Sequence, residues 1–241
     1  MEMEIPQLFT GATGAEGEVR FRRPQTLPEQ IAEQVSYAIL RGDYGPGDPV
    51  REQDLANLFQ VSRGPIREAL RILEKDGVVR ILPNRGAKVT QLSTKEINDI
   101  FEVRAVLSRL AVRDLCHAGD DRIRKAVIES ARRIGAYADK PVTLDDYLPL
   151  SYGLNYMISS SSGNSRLNEM LTSLSRQTIR YTILGLRGAE RRNASAKTWS
   201  KVADAVEARD AEAAGGLVEQ LIIDSKNAAV AEIEASKDAG T

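Results

Sequence analysis

SRGPIREALRILEKDGVV, residues 62–79, decides the fold of this chain together with ILPNRGAKV at 81–89. The first stretch predicts a helix, because its apolar side chains recur three and four residues apart and form one buried face. Ser62 is a good N-cap for this helix, and Gly77 ends it. The second stretch predicts two strands around the basic tip PNRG. A helix followed by such a hairpin is typical of a winged helix–turn–helix, which places a helix in the DNA major groove.

The preceding residues supply the other parts of this motif. A helix is predicted over 27–41, and it must stop at GDYGPGDPV, residues 42–50, which holds three glycines and two prolines. A second, short helix is predicted over 52–59 with Leu55, Leu58 and Phe59 facing inward, and residues 60–61 make the turn before the third helix. This spacing is the one that a helix–turn–helix requires.

Basic side chains follow the third helix at four-residue steps. Arg63 and Arg67 lie in its first turns, where the helix dipole and unpaired N–H groups also attract phosphate. Arg85 lies at the hairpin tip and suits the DNA backbone or minor groove. The alternative is that these arginines form an ordinary solvated face, but the cap, the turn, the helix face and the hairpin all agree with DNA binding.

Composition limits the class of protein. The 241 residues carry a net charge of −1, but residues 22–93 hold 11 basic against 9 acidic side chains, a balance of +2. The single cysteine, Cys116, excludes an intramolecular disulfide and fits the reducing cytoplasm. No apolar run approaches the roughly 20 residues of a membrane span, so no membrane partner is expected.

From Ser93 onward the pattern is helical throughout, and no β pattern competes. We therefore predict a mainly α chain: a flexible N-terminal arm at 1–24, a winged helix–turn–helix domain at 25–91, and an all-α bundle of about six helices at 94–238. The predicted bundle helices cover 94–115, 119–138, 144–161, 165–186, 195–208 and 211–236.

No enzymatic motif is present. The sequence holds no P-loop, no GxGxxG after a strand, no GxSxG and no HExxH. Cys116 and His117 are neighbours on a helix and cannot face each other as a catalytic pair. We expect a chain that is not an enzyme and needs no cofactor. A second hypothesis stays open, in which the chain is a helical adaptor whose winged domain binds a protein partner instead of DNA.

DLANLFQVSRGPIREALRILEKDGVV followed by PNRGAKV resembles the DNA-binding signature of the GntR family of bacterial transcriptional regulators. The resemblance implies operator contacts from the third helix and a wing tip in the hairpin. The family often has an arginine in the second helix where this chain has Gln53, with Arg51 two residues earlier. The residues that this resemblance assigns to DNA are Arg51, Gln53, Ser62, Arg63, Arg67, Asn84, Arg85 and Gly86.

The second domain is similar to the C-terminal domain of the FadR subfamily of these regulators. The similarity lies in EVRAVLSRLAVRDL at 102–115, SSGNSRL at 161–167 and DAVEARDAEAA at 204–214. It implies an effector pocket inside the bundle and a homodimer that binds a palindromic operator. It also implies a cytoplasmic, ligand-responsive regulator, and by family habit a repressor.

Many subfamily members bind a divalent metal through a carboxylate or amide and three histidines. This chain has one histidine, His117, so we expect no metal. Counted from the motifs, the ligand positions hold Ser151, Asn155, Trp199 and Leu221, and the last two cannot coordinate a metal.

We expect the pocket to bind a small organic effector of the carboxylate class. An arginine in an apolar cavity with a few hydroxyl and amide groups suits that ligand. The alternative is that Trp199 and Leu221 fill the site and Arg104 pairs with Glu102 or Asp99. The candidate effector residues are Arg104, Ser108, Ser151, Tyr152, Asn155, Arg180 and Trp199.

Overall fold

The computed structural model of the chain describes residues 25–82, 86–118 and 120–238. The chain divides into two compact units, and the division falls between Leu92 and Ser93. The predicted arm at 1–24 lies outside the described residues. Among the described helices, none has the length and apolarity that crossing a bilayer would require.

The first unit holds three helices and a small sheet. Its first helix begins with a capping box, in which Thr26 and Glu29 each bond the other's backbone N–H. It ends at Gly42, whose φ of 93° is left-handed. The elements in chain order are α1 (Leu27–Arg41), β1 (Pro49–Val50), α2 (Glu52–Phe59), α3 (Arg63–Lys75), β2 (Val79–Leu82) and β3 (Gly86–Val89).

The three strands form an antiparallel sheet in the order β1-β3-β2. Val79 pairs with Val89 and Leu82 with Gly86, so β2 and β3 form the predicted hairpin. Strand β1 was not predicted, because two residues are too few to show an alternating pattern, and Pro49 and Val50 end a stretch that reads as a turn. The sheet confirms the winged arrangement.

The helices pack on the sheet through one apolar core, in which Ile31, Leu55 and Ile66 are each at most 2% exposed. The prediction that Leu58 faces inward was wrong, because its side chain is 69% exposed. The prediction that Leu55 and Phe59 face inward is confirmed: Leu55 is buried, and Phe59, four residues later and nearly on the same face of α2, packs against the core.

The second unit is an all-helical bundle, as predicted, with six helices in the described residues. Ser93 and Glu96 form a capping box at its start, with bonds of 2.8 Å and 3.2 Å to each other's backbone N–H groups. The helices are α4 (Thr94–Ala118), α5 (Asp121–Gly135), α6 (Leu144–Ser161), α7 (Ser165–Gly185), α8 (Ala189–Glu207) and α9 (Ala211–Asp238).

Helix α8 begins at Ala189, earlier than the predicted residue 195. The stretch AERRN reads as a polar surface loop, yet Arg192 is buried and donates to the carbonyls of Val142 and Leu186 at 3.0 and 2.7 Å. These bonds satisfy a buried guanidinium, so a charged residue lies inside the bundle where a sequence pattern would place it outside.

Helix α9 packs closely against two neighbours. A Cβ at Gly215 would lie 2.9 Å from Cγ of Arg109 on α4, and a Cβ at Gly185 on α7 would lie 2.5 Å from the backbone oxygen of Ser225. Both positions therefore need glycine for the helices to approach. The close packing fixes α9 as one wall of the bundle interior.

Candidate DNA interface and ligand recess

The turn between α2 and α3 sets the orientation of the third helix. Gln60 adopts a left-handed φ of 54°, and the N–H of Val61 donates to the Ala56 carbonyl at 3.1 Å. Ser62 follows as the N-cap in extended conformation, but its side chain caps none of the α3 N–H groups. The first turn of α3 is therefore exposed with its backbone donors available to an anion.

Two arginines of α3 are held by side chains of α2. Arg63 donates from Nε to Oε1 of Gln53 at 3.1 Å and also from Nη2 to the same oxygen. Arg67 forms an ion pair with Glu52, with 2.9 Å between Nε and Oε2, while 59% of its side chain stays exposed. The structure thus brings together three of the predicted DNA-binding residues: Gln53, Arg63 and Arg67.

Two further predicted DNA residues lie at the starts of α2 and β3. Arg51 is the N-cap of α2, is well exposed, and lies 4.0 Å from the carboxylate of Asp54. Gly86 starts β3 with a φ of 79°, and a Cβ there would lie 2.9 Å from the Val50 carbonyl oxygen. Asn84 and Arg85 lie outside the described residues.

A recess in the second unit is lined by α4, α6 and α7. The space between protein atoms at this recess is about 370 Å³, which includes solvent at its open side. Four of the predicted effector residues line it, namely Arg104, Ser108, Tyr152 and Asn155. The sequence prediction missed five others, because which helix faces meet is set by packing: Tyr156, Ser159, Leu171, Thr172 and Ser175.

Arg104 is the only strongly buried cation of this recess among the described residues, with 6% exposure. Its Nη1 donates to the hydroxyls of Thr178 and Thr182 at 3.1 and 3.3 Å. Burial lowers the pKa of Arg104 to about 10, so the side chain is still cationic at neutral pH.

No carboxylate of the described residues pairs with Arg104. Glu102 pairs with Lys226 and Asp99 pairs with Lys95, so the alternative that Arg104 binds one of these two carboxylates was wrong. Ser108 is 7% exposed and lines the same recess. A buried cation beside a hydroxyl can receive an anionic ligand.

The other predicted effector residues do not line this recess. Ser151 is buried and donates to the Leu148 carbonyl at 3.2 Å. Arg180 donates to the Tyr181 hydroxyl at 2.9 Å, and Trp199 is only 2% exposed. Within the residues described, no group of three or more histidine, cysteine, aspartate or glutamate side chains could hold a metal ion.

A winged helix–turn–helix followed by an all-helical domain is the arrangement that the structure defines. Residues 27–89 match the bacterial regulatory proteins of the gntR family, and residues 99–224, just over half of the chain, match the FCD domain. The chain therefore belongs to the gntR-family regulatory proteins that carry a C-terminal FCD domain.

Relatives of known name share mainly the first half of the chain. It is 36% identical over 99 residues to the HTH-type transcriptional regulator YdhC of Bacillus subtilis, which is 41% of this chain and 44% of YdhC. It is 37% identical over 94 residues to the gluconate operon transcriptional repressor of Bacillus licheniformis, covering 39% and 38%. It is 26% identical over 152 residues to the transcriptional repressor GlaR of Escherichia coli, and the match covers 62% of this chain and 69% of GlaR.

These relatives are named as transcriptional regulators or repressors, which confirms the prediction that the chain is not an enzyme. Among solved structures, a GntR regulator from Rhodococcus sp. RHA1 superposes with a TM-score of 0.68 at 21% identity, covering 85% of this chain and 97% of that one. Escherichia coli McbR/YncC superposes with a TM-score of 0.65 at 18% sequence identity, covering 82% of this chain and 94% of that one. At these identities the likeness shows a shared fold.

Proposed function

We propose that this chain is a ligand-responsive transcription regulator of the FadR subfamily that works in the bacterial cytoplasm, where it meets its DNA. The observation that carries the proposal is the position of Arg63 and Arg67. Both stand exposed on the first two turns of α3, and side chains of α2 hold both in place. A recognition helix that presents preoriented arginines can enter the major groove without first ordering those side chains.

Operator contact would exchange the partners of these arginines. Glu52 neutralises Arg67 at the surface, and an exposed ion pair of this kind is worth only about 0–1 kcal/mol. A phosphate or a guanine edge can therefore replace Glu52 at small cost. Ser62, Arg51, Gly86 and the tip residues Asn84 and Arg85 would add backbone and wing contacts.

The regulator would act as a homodimer on a palindromic operator, because a twofold protein matches a twofold site. Repression is supported by two of the relatives, which are named as repressors. The FCD domain would bind a small organic effector, and its binding would favour one arrangement of the DNA-binding domains over another.

The effector recess would take a carboxylate against Arg104. A buried guanidinium that has only hydroxyl partners within the described residues leaves donor capacity for an anion, and Ser108 offers a second donor. Tyr152 and Asn155 line the same recess and would fix the orientation of the ligand. The buried Trp199 and Leu221 would replace the subfamily's histidines with apolar packing, so no metal would take part.

A mobility shift tests the DNA part. The purified chain would be mixed with the DNA upstream of its own gene and with a shuffled duplex at near-physiological salt. We expect a selective shift that the Arg63→Ala/Arg67→Ala double variant loses. The Arg132→Ala/Arg133→Ala variant removes two exposed arginines of α5 and is the matched control for charge. A complex without sequence preference, or equal binding by both double variants, would favour the adaptor hypothesis.

The effector part needs a separate measurement on the same operator. A set of organic carboxylates would be screened for release of the protein from its operator. Arg104→Met should keep the affinity for the operator and lose the release by the carboxylate. Release that is unchanged in Arg104→Met would place the effector elsewhere.

A further inference from the structure

Unpartnered polar atoms concentrate at one place inside the bundle, between α6, α8 and α9. In the part of the chain that the structure describes, five buried side-chain nitrogen or oxygen atoms lack a hydrogen-bond partner. Three of them belong to two residues, Tyr147 and Arg191: the Tyr147 hydroxyl, and Nε and Nη1 of Arg191. A buried donor left unpaired costs about 1–3 kcal/mol, so three together call for an acceptor.

Arg191 is held in place by α9. Its Nη2 donates to the carbonyl oxygen of Leu221 at 3.2 Å and to Oγ of Ser225 at 3.3 Å. Both bonds use the same nitrogen, which leaves the N–H groups on Nε and Nη1 unused. The guanidinium is therefore fixed in position while most of its donors are unpaired.

Tyr147 supplies a neutral donor beside this guanidinium. Its side chain is fully buried, and burial raises the pKa of the phenol to about 12, so the hydroxyl keeps its proton at neutral pH. The positive charge of Arg191 lowers the pKa of this phenol, but by less than burial raises it. Ser195 is near enough to lower the pKa of the phenol, yet it does not meet the geometry of a hydrogen bond to Tyr147.

Positive charge is in excess around this place. Arg192 is buried and donates its hydrogen bonds to backbone carbonyls. It has no carboxylate partner among the described residues. Asp224 acts on Arg191 through its charge but is not within ion-pair distance, and it accepts a hydrogen bond from Gln220 at 2.7 Å. Arg191 and Arg192 both act on Tyr147 through their charge, while Asp224 acts on Arg191, so positive charge exceeds negative charge among these groups.

We infer that Tyr147 and Arg191 form a binding position for a small monocarboxylate, separate from the Arg104 recess, with which they share no lining residue. One carboxylate oxygen would accept from the Arg191 guanidinium and the other from the Tyr147 hydroxyl. A single negative charge balances the excess, whereas a phosphate dianion would overcompensate it beside Asp224.

Thermal unfolding of the full chain tests this site without DNA. Sodium acetate or formate would replace sodium chloride at constant ionic strength. We expect a saturable rise in melting temperature, since a ligand that binds only the folded state stabilises it. Tyr147→Phe should weaken the apparent acetate affinity about tenfold, because a hydrogen bond to a charged group is worth about 1.5–3 kcal/mol. In an Arg104→Met background, which removes the cation of the recess, Arg191→Lys should abolish the saturable rise.

Three controls separate this site from the rest of the protein. Tyr44→Phe removes a hydroxyl of the first unit and should respond to acetate like the wild type. Arg104→Met removes the cation to which the proposed effector binds, and should keep the part of the response that belongs to Tyr147 and Arg191. Without acetate, Tyr147→Phe should melt at the same or a higher temperature, because it deletes an unpaired buried hydroxyl.

Several results would overturn the inference. These are a wild-type protein that acetate and formate do not stabilise, a Tyr147→Phe variant with unchanged affinity, and equal stabilisation by inorganic phosphate. Loss of the response in Arg104→Met would assign the anion to the recess instead. None of these results bears on operator binding, which the mobility shift measures independently.

Discussion

The Arg63 guanidinium on α3 donates to Oε1 of Gln53 on α2 at 3.1 Å, so the first turn of the third helix is tied to the helix before it. Gln53 is fixed in turn by its bond to Oδ1 of Asn57 at 2.9 Å. The position where the family often has an arginine thus holds an amide that orients an arginine of the next helix. Gln53 can support DNA recognition without touching DNA.

The first prediction concerns this support. Gln53→Ala should weaken specific operator binding by about 1 kcal/mol, roughly fivefold, because Arg63 loses the acceptor that orients it. Asn57→Ala removes only the more distant amide and should have a smaller effect. The two affinities would be measured by fluorescence anisotropy on one operator duplex. Equal losses in both variants would contradict the orienting role of Gln53.

The second prediction concerns the acidic partner of Arg67. Glu52→Gln should strengthen binding to any duplex by up to about fivefold, since the ion pair that phosphate must displace is gone. Glu207→Gln makes the same charge change beside Arg132 in the second unit and should leave binding unchanged. Affinity for a shuffled duplex at several salt concentrations is the measurement. Weaker binding by Glu52→Gln would contradict this prediction and show that the orientation of Arg67 by Glu52 matters more for binding than the charge that Glu52 neutralises.

The third prediction concerns the wing. Gly86→Ala should destabilise the first unit by about 1–3 kcal/mol, because φ is 79° and the new Cβ would lie 2.9 Å from the Val50 carbonyl oxygen. Gly64→Ala is the control, since the nearest atom to a Cβ there would be Oγ of Ser62 at 3.9 Å, and alanine favours the helix by up to about 1 kcal/mol. Urea unfolding of both variants should therefore move in opposite directions. An unchanged midpoint for Gly86→Ala would argue against the β1–β3 contact.

The fourth prediction is a pH dependence. The folded pKa of Tyr147 lies near 12, above the ordinary value of 10.0, because burial disfavours the phenolate. The unfolded chain therefore loses this proton first, and the stability that the neutral phenol contributes is full below pH 10 and is lost as pH rises through about 12. Absorbance at about 295 nm should show one phenol that titrates late and is missing in Tyr147→Phe. A wild-type titration with every phenol ionising near pH 10 would contradict the burial.

The fifth prediction concerns metals. Chelators should change neither the melting temperature nor the operator affinity, because the chain has one histidine and the predicted ligand positions hold Trp199 and Leu221. The melting curves would be recorded with and without EDTA after dialysis. A drop in melting temperature that added Zn²⁺ or Mn²⁺ restores would show a metal site.

The first unit could be predicted closely from sequence because its signals are local. Ser62 is the N-cap of α3, and Gly42 ends α1 with a left-handed φ that favours glycine. Leu58 was misplaced because an eight-residue helix offers little periodicity to define its buried face. Strand β1 depends on pairing with β3, which is distant in sequence and leaves no local signal.

The candidate sites of the second unit were predictable only in part. Arg104 and Ser108 could be proposed through the resemblance to the subfamily, whose first bundle helix faces the effector pocket. Thr172 and Ser175 on α7 were missed, since only the packing of α7 brings hydroxyls at that spacing to the recess. Arg191 was missed because buried arginines are rare, so a run of charged residues is read as a surface.

The two units each begin with their own capping box, Thr26 with Glu29 and Ser93 with Glu96. The second box lies directly after the division at Leu92, so the start of α4 takes its caps from residues on its own side of the joint. A genetic crossover at this joint would transfer an intact helix start along with either half. One DNA-binding domain could thus be combined with different ligand-binding domains, because the residues that start the first helix of each domain stay with that domain.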